Sequence, residues 1–480
     1  MLERTLPLHI FSKGFIKYLN NQLDDPGATT SRDLWNAIRS VMIEFNSTYD
    51  FNIKDTIDSW IMQRCTIVLN VTRNYATALP CVSVEFYNKS DEKQYYVPVT
   101  YTTESKLDFD VTWMNFWLTP RRSKVELSLE KNELIIFNLQ QGYYRVNYDI
   151  ANWRKIAKYL NFQKYRNIHV LNRAQIINDA FHFAIEKKLE FSVFWILASY
   201  LAQERKYIAW YPMLKAFEIL SNIFPFLNFY PEFEGVLKFD FMQKRSISNW
   251  NLFNESHIND HTKCLKQELA KWECIINENS CEVKSRTHLK WHLANPEKNK
   301  LLLRWKRWTY CNGLKTADRD TWNTVFNDYM IGNDKILEFL AYSKNSEIII
   351  NYLKITTNTV IIPKISKPLY NQSHLQLEPT ERAYALNANI FLSILERNTK
   401  YMLTSLLSNY ETIRHRRVNV IVTLIVIINN AYSKEQLDEI KKFVKKDFKN
   451  SVIPNIEYKI EARWSEIEKQ INHFRSLFNN

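Results

Sequence analysis

Glycine is scarce in this chain, six in 480 residues, where ordinary globular proteins carry about 7%. Gly14, Gly27, Gly142, Gly235, Gly313 and Gly332 are too scattered to form a phosphate-cradling loop, which needs closely spaced glycines. Nucleotide-binding folds of that kind are excluded. Long apolar runs are lacking too. The strongest, Val418 to Ile428, falls short of the roughly 20 residues of a membrane span and reads as a buried helix. Met1-Leu2-Glu3-Arg4 opens without the apolar stretch or cleavage site of a secretory leader. The expectation is a soluble chain without signal peptide or transmembrane segment.

What is present is an ordinary globular composition, 46% hydrophobic and 24% charged, with enough residues for two or three domains with real cores. The net charge is +13, which raises the question of an anionic partner. The densest basic spots, Arg414-His415-Arg416-Arg417 and Lys441-Lys442 with Lys445-Lys446, each sit beside an apolar run of helical character. Neither has the aromatic interleaving of a base-stacking platform. A lysine-rich solvated surface is expected, and no nucleic acid partner.

The apolar periodicity divides the chain in three. Residues 1–64 repeat at helical spacing, through Leu6, Ile10, Phe11, Phe15 and Leu19, then Leu34, Trp35, Ile38 and Val41, with Thr30 or Ser31 as a cap. Residues 65–148 alternate: Ile67/Leu69/Val71, Val82/Val84/Phe86, Val97/Val99/Tyr101, Leu127/Leu129 and Ile135/Phe137. Short strands spaced this regularly predict a small antiparallel β-sandwich. Residues 149–480 return to helical periods and read as stacked helix pairs, a solenoid-like domain of the HEAT or armadillo kind. The fold class is therefore α+β, multidomain and mainly α. In the last helix Ile460, Trp464, Ile467, Ile471, Phe474 and Phe478 form one apolar seam, read as docking onto the preceding helix, with a homodimer contact as the alternative. Between the second and third parts lies Gly142-Tyr-Tyr-Arg-Val-Asn-Tyr-Asp149, a strand with Tyr144, Val146 and Tyr148 on one side and Asp149 as the N-cap of the helix carrying Trp153, Ile156 and Leu160.

This octapeptide, followed by Asn152-Trp153, resembles the junction between the β-sandwich and the C-terminal helical domain of the zinc aminopeptidases of the aminopeptidase N type. Phe11-x-x-Gly14-Phe15-x-x-Tyr18-Leu19, Asp33-Leu34-Trp35 and Ile57-Asp58-Ser59-Trp60-x-x-Gln63 resemble the last helices of the catalytic domain. Arg173-Ala174-Gln175-Ile176-Ile177-x-Asp179-Ala180-Phe181, Glu204-x-x-Tyr207-x-x-Trp210, Tyr310-Cys311-x-Gly313-Leu314, Trp322 and Ser343-Lys344 keep the order of the helical domain. The resemblance implies the C-terminal half of an exopeptidase: the incomplete end of the catalytic domain over 1–64, a sandwich over 65–148 and a helical domain over 149–480. It implies peptides and the missing catalytic domain as partners. It also implies an extracellular or plasma-membrane-associated setting, a disulfide between Cys274 and Cys281, and an unpaired Cys311, because Tyr342 stands where the second bridging cysteine is expected. Cys65, Cys81 and Cys264 read as buried small hydrophobes.

The family's zinc chemistry needs two histidines at i and i+4, a glutamate after the first, and a second glutamate nineteen residues on. His257/His261 and His288/His292 have the spacing, but Ile-Asn-Asp and Leu-Lys-Trp stand between them, and Ser280 and Cys311 stand nineteen residues on. The substrate-amine motif Gly-Ala-Met-Glu-Asn is absent, and the family's catalytic tyrosine would align upstream of Met1. No catalytic, cofactor-binding or metal residue is named, and zinc belongs to the full-length family rather than to this chain. Asn46, Asn70, Asn88, Asn254 and Asn371 head N-glycosylation sequons, about as many as an Asn-rich chain gives by chance. The alternative function is a stand-alone helical-solenoid protein that grips peptides or a protein partner. Nucleic-acid binding driven by the +13 charge would fall steeply with salt. The expected result is a flat response in a filter-binding titration between about 50 and 200 mM salt.

Overall fold

The helical spacing at the start of the chain is realised as α1 (Leu8–Asp24), α2 (Ser31–Glu44) and α3 (Ile53–Ile61). Asp33 accepts from the Thr30 backbone N–H at 2.9 Å and from its hydroxyl at 2.8 Å, the reciprocal box that opens α2. Gly14 lets α1 approach α2, since a Cβ there would lie 2.8 Å from the Ile38 backbone. Leu6, Ile10, Trp35, Ile38, Val41 and Ile57 form a local core. The computed structural model describes residues 5–24, 30–46, 53–61, 67–73, 81–87, 96–110, 113–128, 133–139, 142–221, 259–276, 278–329, 335–358, 379–448 and 453–478. Pro26, Asn88–Asp91, Cys65, Gln63, Gly235, His257 and Gly332 lie outside them.

Eight strands follow: β1 (Ile67–Arg73), β2 (Cys81–Tyr87), β3 (Val97–Val99), β4 (Tyr101–Thr103), β5 (Phe116–Leu118), β6 (Lys124–Ser128), β7 (Ile135–Phe137) and β8 (Tyr144–Tyr148). They form one four-stranded sheet, ordered β6-β2-β1-β8, and two pairs, β3-β5 and β4-β7. The expectation of wholly antiparallel strands is corrected here. β8 runs parallel to β1, with Ile67 opposite Tyr144 and Val71 opposite Tyr148. A parallel neighbour requires a long connection, and all the intervening strands supply it. The alternation Val97/Val99/Tyr101 is also not one strand. It breaks at Thr100, whose carbonyl accepts from Asn138 N–H at 2.8 Å and whose hydroxyl accepts from Leu139 N–H at 2.7 Å. Val97–Val99 and Ile135–Phe137 are buried at every position, so both sides of these strands are covered.

From Ile150 the described chain is mainly helical. α4 (Ile150–Asn161), α5 (Val170–Ile185), α6 (Phe191–Ala198) and α7 (Tyr207–Leu220) come first. After the undescribed stretch come α8 (Asp260–Ile276), α9 (Glu278–Ala294), α10 (Leu303–Gly313), α11 (Arg319–Tyr329), α12 (Lys335–Leu340), α13 (Ser346–Asn358), α14 (Pro379–Ser408), α15 (Tyr410–Ile413), α16 (Val420–Asn429), α17 (Lys434–Asp447) and α18 (Ile453–Phe478). The chain divides into two compact units, one reaching to Ala216 and the other beginning at Phe217.

In the second unit, α9 to α14 share one core around Leu289, Trp322, Leu340, Ile349, Leu353 and Ile394. α14 is interrupted by a non-helical residue, Met402 (φ −141°, ψ 36°). α18 packs on α16 and α17, burying Ile460, Ile467, Ile471 and Phe474. The apolar run now placed in α16 is not buried all round: Thr423, Leu424, Ile427 and Ile428 face in, and Val422 is exposed. Among the described residues no helix is long and apolar enough to cross a membrane.

Asn138 ties β7 to β8. It holds the left-handed conformation (φ 58°) that Asn tolerates better than most side chains. Its Nδ2 donates to the carbonyls of Gly142 at 3.0 Å and Tyr144 at 2.9 Å, and its Oδ1 accepts from Gly142 N–H at 2.8 Å. Replacing Asn138 by Ala removes three hydrogen bonds and strains the backbone. Asn138→Ala is expected to destabilise the first unit by roughly 2–4 kcal/mol, and Asn138→Gly to recover about 1 kcal/mol of that by relieving φ. Urea unfolding of both variants checks the order.

Candidate functional site

The three best-marked sequence segments, 142–149, 173–181 and 204–210, meet in the first unit. Along β8, Tyr144, Val146 and Tyr148 are buried, and Arg145 and Asn147 are half-buried on the other side. Asp149 extends the ladder by donating its N–H to Val71 O at 2.9 Å, and its carboxylate caps α4 by accepting from Asn152 N–H at 2.9 Å. Gly142 has room for nothing larger, because a Cβ would fall 1.9 Å from the Tyr144 ring. Tyr148 Oη accepts from Phe137 N–H at 2.9 Å, and its ring meets Trp153 edge-on at 5.0 Å. Asn152 exchanges hydrogen bonds with the Ile135 backbone, donating to its carbonyl at 3.1 Å. Asn172 on α5 donates to Asn138 O at 3.0 Å.

Two ion pairs with buried carboxylates complete this joint. Asp179 on α5 accepts from the Val146 N–H at 3.0 Å and from Arg145 Nη1 at 2.8 Å. Arg173 donates from Nε to Glu204 Oε2 at 2.8 Å and from Nη1 to the carbonyls of Tyr165 and Ile168. Glu204 Oε1 accepts from the N–H groups of Arg205 and Lys206 at 2.8 and 2.9 Å, and Trp210 Nε1 donates to Glu204 O at 3.3 Å. These carboxylates are spent on arginine and backbone donors. They position elements and are not set up to activate water. Sequence reading matched these segments without assigning the pairs. The available signal was a charged residue inside each apolar stretch, since a buried charge needs a partner.

Beside the joint is an open pocket of about 750 Å³. Lys155, Lys158, Tyr159 and Phe162 of α4 and its C-terminal end line it with Lys164 and Glu104. Burial, with the Arg73 charge nearby, pushes the Lys155 ammonium below the usual lysine range.

In the second unit Cys274 and Cys281 are joined, linking α8 to α9, with Cα atoms 4.8 Å apart. Beside them Glu273 accepts from Lys284 Nζ at 2.6 Å. Cys311 is free and buried, and burial pushes its thiol up. It lies beside Tyr342, whose ring carries the Arg397 guanidinium at 4.2 Å. The expected burial of Cys264 is corrected: it is exposed, on the outer side of α8. Cys81 lies in β2. Of the sequons, Asn46 is exposed in the turn after α2, and Asn70 sits mid-strand, its Oδ1 accepting from Asn147 Nδ2 at 3.4 Å. Asn88, Asn254 and Asn371 lie outside the described residues.

Among the described residues, the His288/His292 pair does not suit zinc, because a ring nitrogen of each is already engaged. His288 Nδ1 is engaged with Thr309 Oγ1 at 2.9 Å, its ring stacks on Trp291 at 5.2 Å, and His292 Nδ1 faces Asn299 O at 2.8 Å. Burial lowers His288 to about 4. His261 is exposed on α8. Among the described residues no three His, Cys, Asp or Glu side chains are grouped to hold a metal ion.

The sequence profile of the ERAP1-like C-terminal domain family matches residues 134–459. Aminopeptidase N of Plutella xylostella is 28% identical over 368 residues, covering 75% of this chain and 37% of that protein. Aminopeptidase N of Homo sapiens is 26% identical, over 76% of this chain and 38% of its own length. The thyrotropin-releasing hormone-degrading ectoenzyme of Rattus norvegicus is 24% identical, over 75% and 36%. The aligned region thus spans less than two fifths of these relatives.

Burial raises the Asp179 carboxyl to about 6, outweighing the pull of the Val146 N–H and Arg145. The folded state therefore holds this proton more tightly than the unfolded chain. The resulting stabilisation is whole below the unfolded value of 3.8 and is lost as pH rises through about 6. In Asp179→Asn this dependence disappears. The native-minus-variant difference in unfolding free energy should fall with pH in this window, by at most about 1.4 kcal/mol per unit. Denaturation at a series of pH values measures it.

Proposed function

The chain belongs to the ERAP1-like C-terminal domain family, and from that premise we propose that it is the C-terminal portion of an aminopeptidase N-like metallopeptidase. In this reading the chain caps the active site and encloses the peptide, and the zinc chemistry that releases N-terminal residues resides in the catalytic domain. A closing wall of this kind excludes water and limits substrate length without taking part in the chemistry. The carrying observation is the joint at 142–149: the motif residues there are consumed in holding a strand to helices. The His288/His292 pair, with no third ligand grouped beside it among the described residues, favours the same division of labour.

On this reading residues 1–64 are the end of the catalytic domain, 65–148 a β-sandwich spacer, and 149–480 a solenoid-like bowl. The setting is extracellular or at the plasma membrane. The first helices support it in part. Phe15, Ile16, Ile43 and Ile61 are exposed, as a face that packs on further catalytic-domain helices would be. Leu6 and Trp35, by contrast, are buried in the local core.

A second reading, a stand-alone binder of acidic peptide, is favoured by the three lysines and two aromatic rings of the pocket beside the joint. One set of measurements separates the readings. The purified chain is given zinc and an aminoacyl chromogenic substrate. The expected outcome is no turnover and a metal-to-protein ratio near zero, with binding to the zinc-bearing portion of an aminopeptidase N. Turnover abolished by a chelator overturns the capping role. Acidic-peptide binding that is lost in Lys158→Glu, without binding to that portion, selects the second reading.

A further inference from the structure

Residues 284–307 carry eight Lys or Arg and one acidic residue, Glu297, a balance of +7 within a chain whose total is +13. This stretch is the second half of α9, the turn after it, and the start of α10. Some of the charge is neutralised locally: Lys284 pairs with Glu273 at 2.6 Å and Lys290 with Asp318 at 3.2 Å. Lys298 and Lys300 are exposed at the turn, and Arg304, exposed in the first turn of α10, lies near Asp260.

The same turn presents apolar side chains to water. Leu303 is 88% exposed, and Leu302 and Trp291 are each 46% exposed. Leu302 is the N-cap of α10 and makes no side-chain cap hydrogen bond. Helices strongly prefer Ser, Thr, Asp or Asn there, so leucine forgoes a local stabilisation. Leu303 follows at the first helical position and covers almost nothing. By contrast Leu301 packs against the core of the unit. A broken local rule joined to an unburied aliphatic pair marks a place where something other than folding shaped the sequence.

The turn is held in shape. Asn299 Nδ2 donates to Trp291 O at 2.5 Å, and His292 Nδ1 meets Asn299 O at 2.8 Å. The loop therefore folds back on the end of α9 and brings Lys298 and Lys300 next to the turn of helix that carries Trp291.

We infer that this turn is a membrane-surface contact, in which Leu302 and Leu303 enter the interface of a bilayer while Lys298, Lys300 and Arg304 meet anionic phospholipid headgroups. Charge complementarity selects the headgroup class. The protruding aliphatic pair with an indole nearby selects a bilayer, where leucine inserts and tryptophan sits at headgroup level. A nucleic acid would be met by the same lysines but offers no partner to two leucines.

The test is flotation of the full chain with vesicles of phosphatidylcholine alone or with about 30% phosphatidylserine, at low and high salt. Binding to the anionic vesicles at low salt, at least about tenfold above the neutral ones, is expected, and high salt should weaken it. Leu302→Glu/Leu303→Glu should reduce binding at least about tenfold, and Lys298→Glu/Lys300→Glu at least about threefold. The substituted side chains are exposed, and circular dichroism verifies that each variant is folded. No binding to anionic vesicles, equal binding to neutral ones, or undiminished binding of the leucine variant overturns the proposal. Preferential binding of single-stranded RNA, unaffected by the leucine substitutions, would do so in favour of a nucleic acid partner.

Discussion

A carboxylate with almost no water around it, Asp179, receives the Val146 N–H and the Arg145 guanidinium, and the architecture of the first unit follows from that arrangement. Isolated, a charge so placed would cost several kcal/mol. Paired, it fixes α5 against β8 in one register, because a one-residue slip of the strand would remove both donors and turn Tyr144, Val146 and Tyr148 away from their core. The neighbouring polar groups have the same character. Asn138, Asn152, Asn172 and Tyr148 each bond to backbone across an element boundary. Arg173 and Glu204 extend the joint to the segment leading into α7. The interface between strands and helices is therefore specified by directional bonds as well as by fit, and such a joint transmits orientation rigidly.

The second unit is organised differently. Its core around Trp322, Tyr352 and Ile394 is apolar and aromatic, and its polar anchors include single donors to carbonyls, such as Trp322 Nε1 to Leu340 O at 3.1 Å and Tyr352 Oη to Leu337 O at 3.0 Å. Helix pairs of this kind tolerate surface variation, and the basic turn between α9 and α10 lies on such a surface. Its charge is concentrated where the packing makes the least demand.

Much of this was legible in the sequence because it is local. The alternation from Tyr144 to Tyr148 fixes which side chains face inward, and Asp149 announces the helix that it caps. The apolar stripe of α18 predicts its buried side. What escaped was non-local. Alternation carries no direction, so the parallel pairing of β1 with β8 could not be read from either strand. Arg145 and Asp179 are 34 residues apart, and Arg173 and Glu204 are 31 apart, so periodicity is blind to both pairs. Strands buried at every position, such as Ile135–Phe137, do not obey the period-two rule used to find them. Cys264 is exposed because its position on α8 turns it outward, which residue type alone does not reveal.

The bridge between Cys274 and Cys281 spans seven positions. Closing so short a circuit restricts the unfolded chain modestly, by about 2–3 kcal/mol in the chain-entropy picture, and both sulfur-bearing residues are buried. Its loss would loosen one helical hairpin and leave the strand-to-helix joint untouched. Among the described residues, thiol chemistry thus reinforces one corner of the second unit, while the strand-to-helix joint of the first is held by non-covalent contacts.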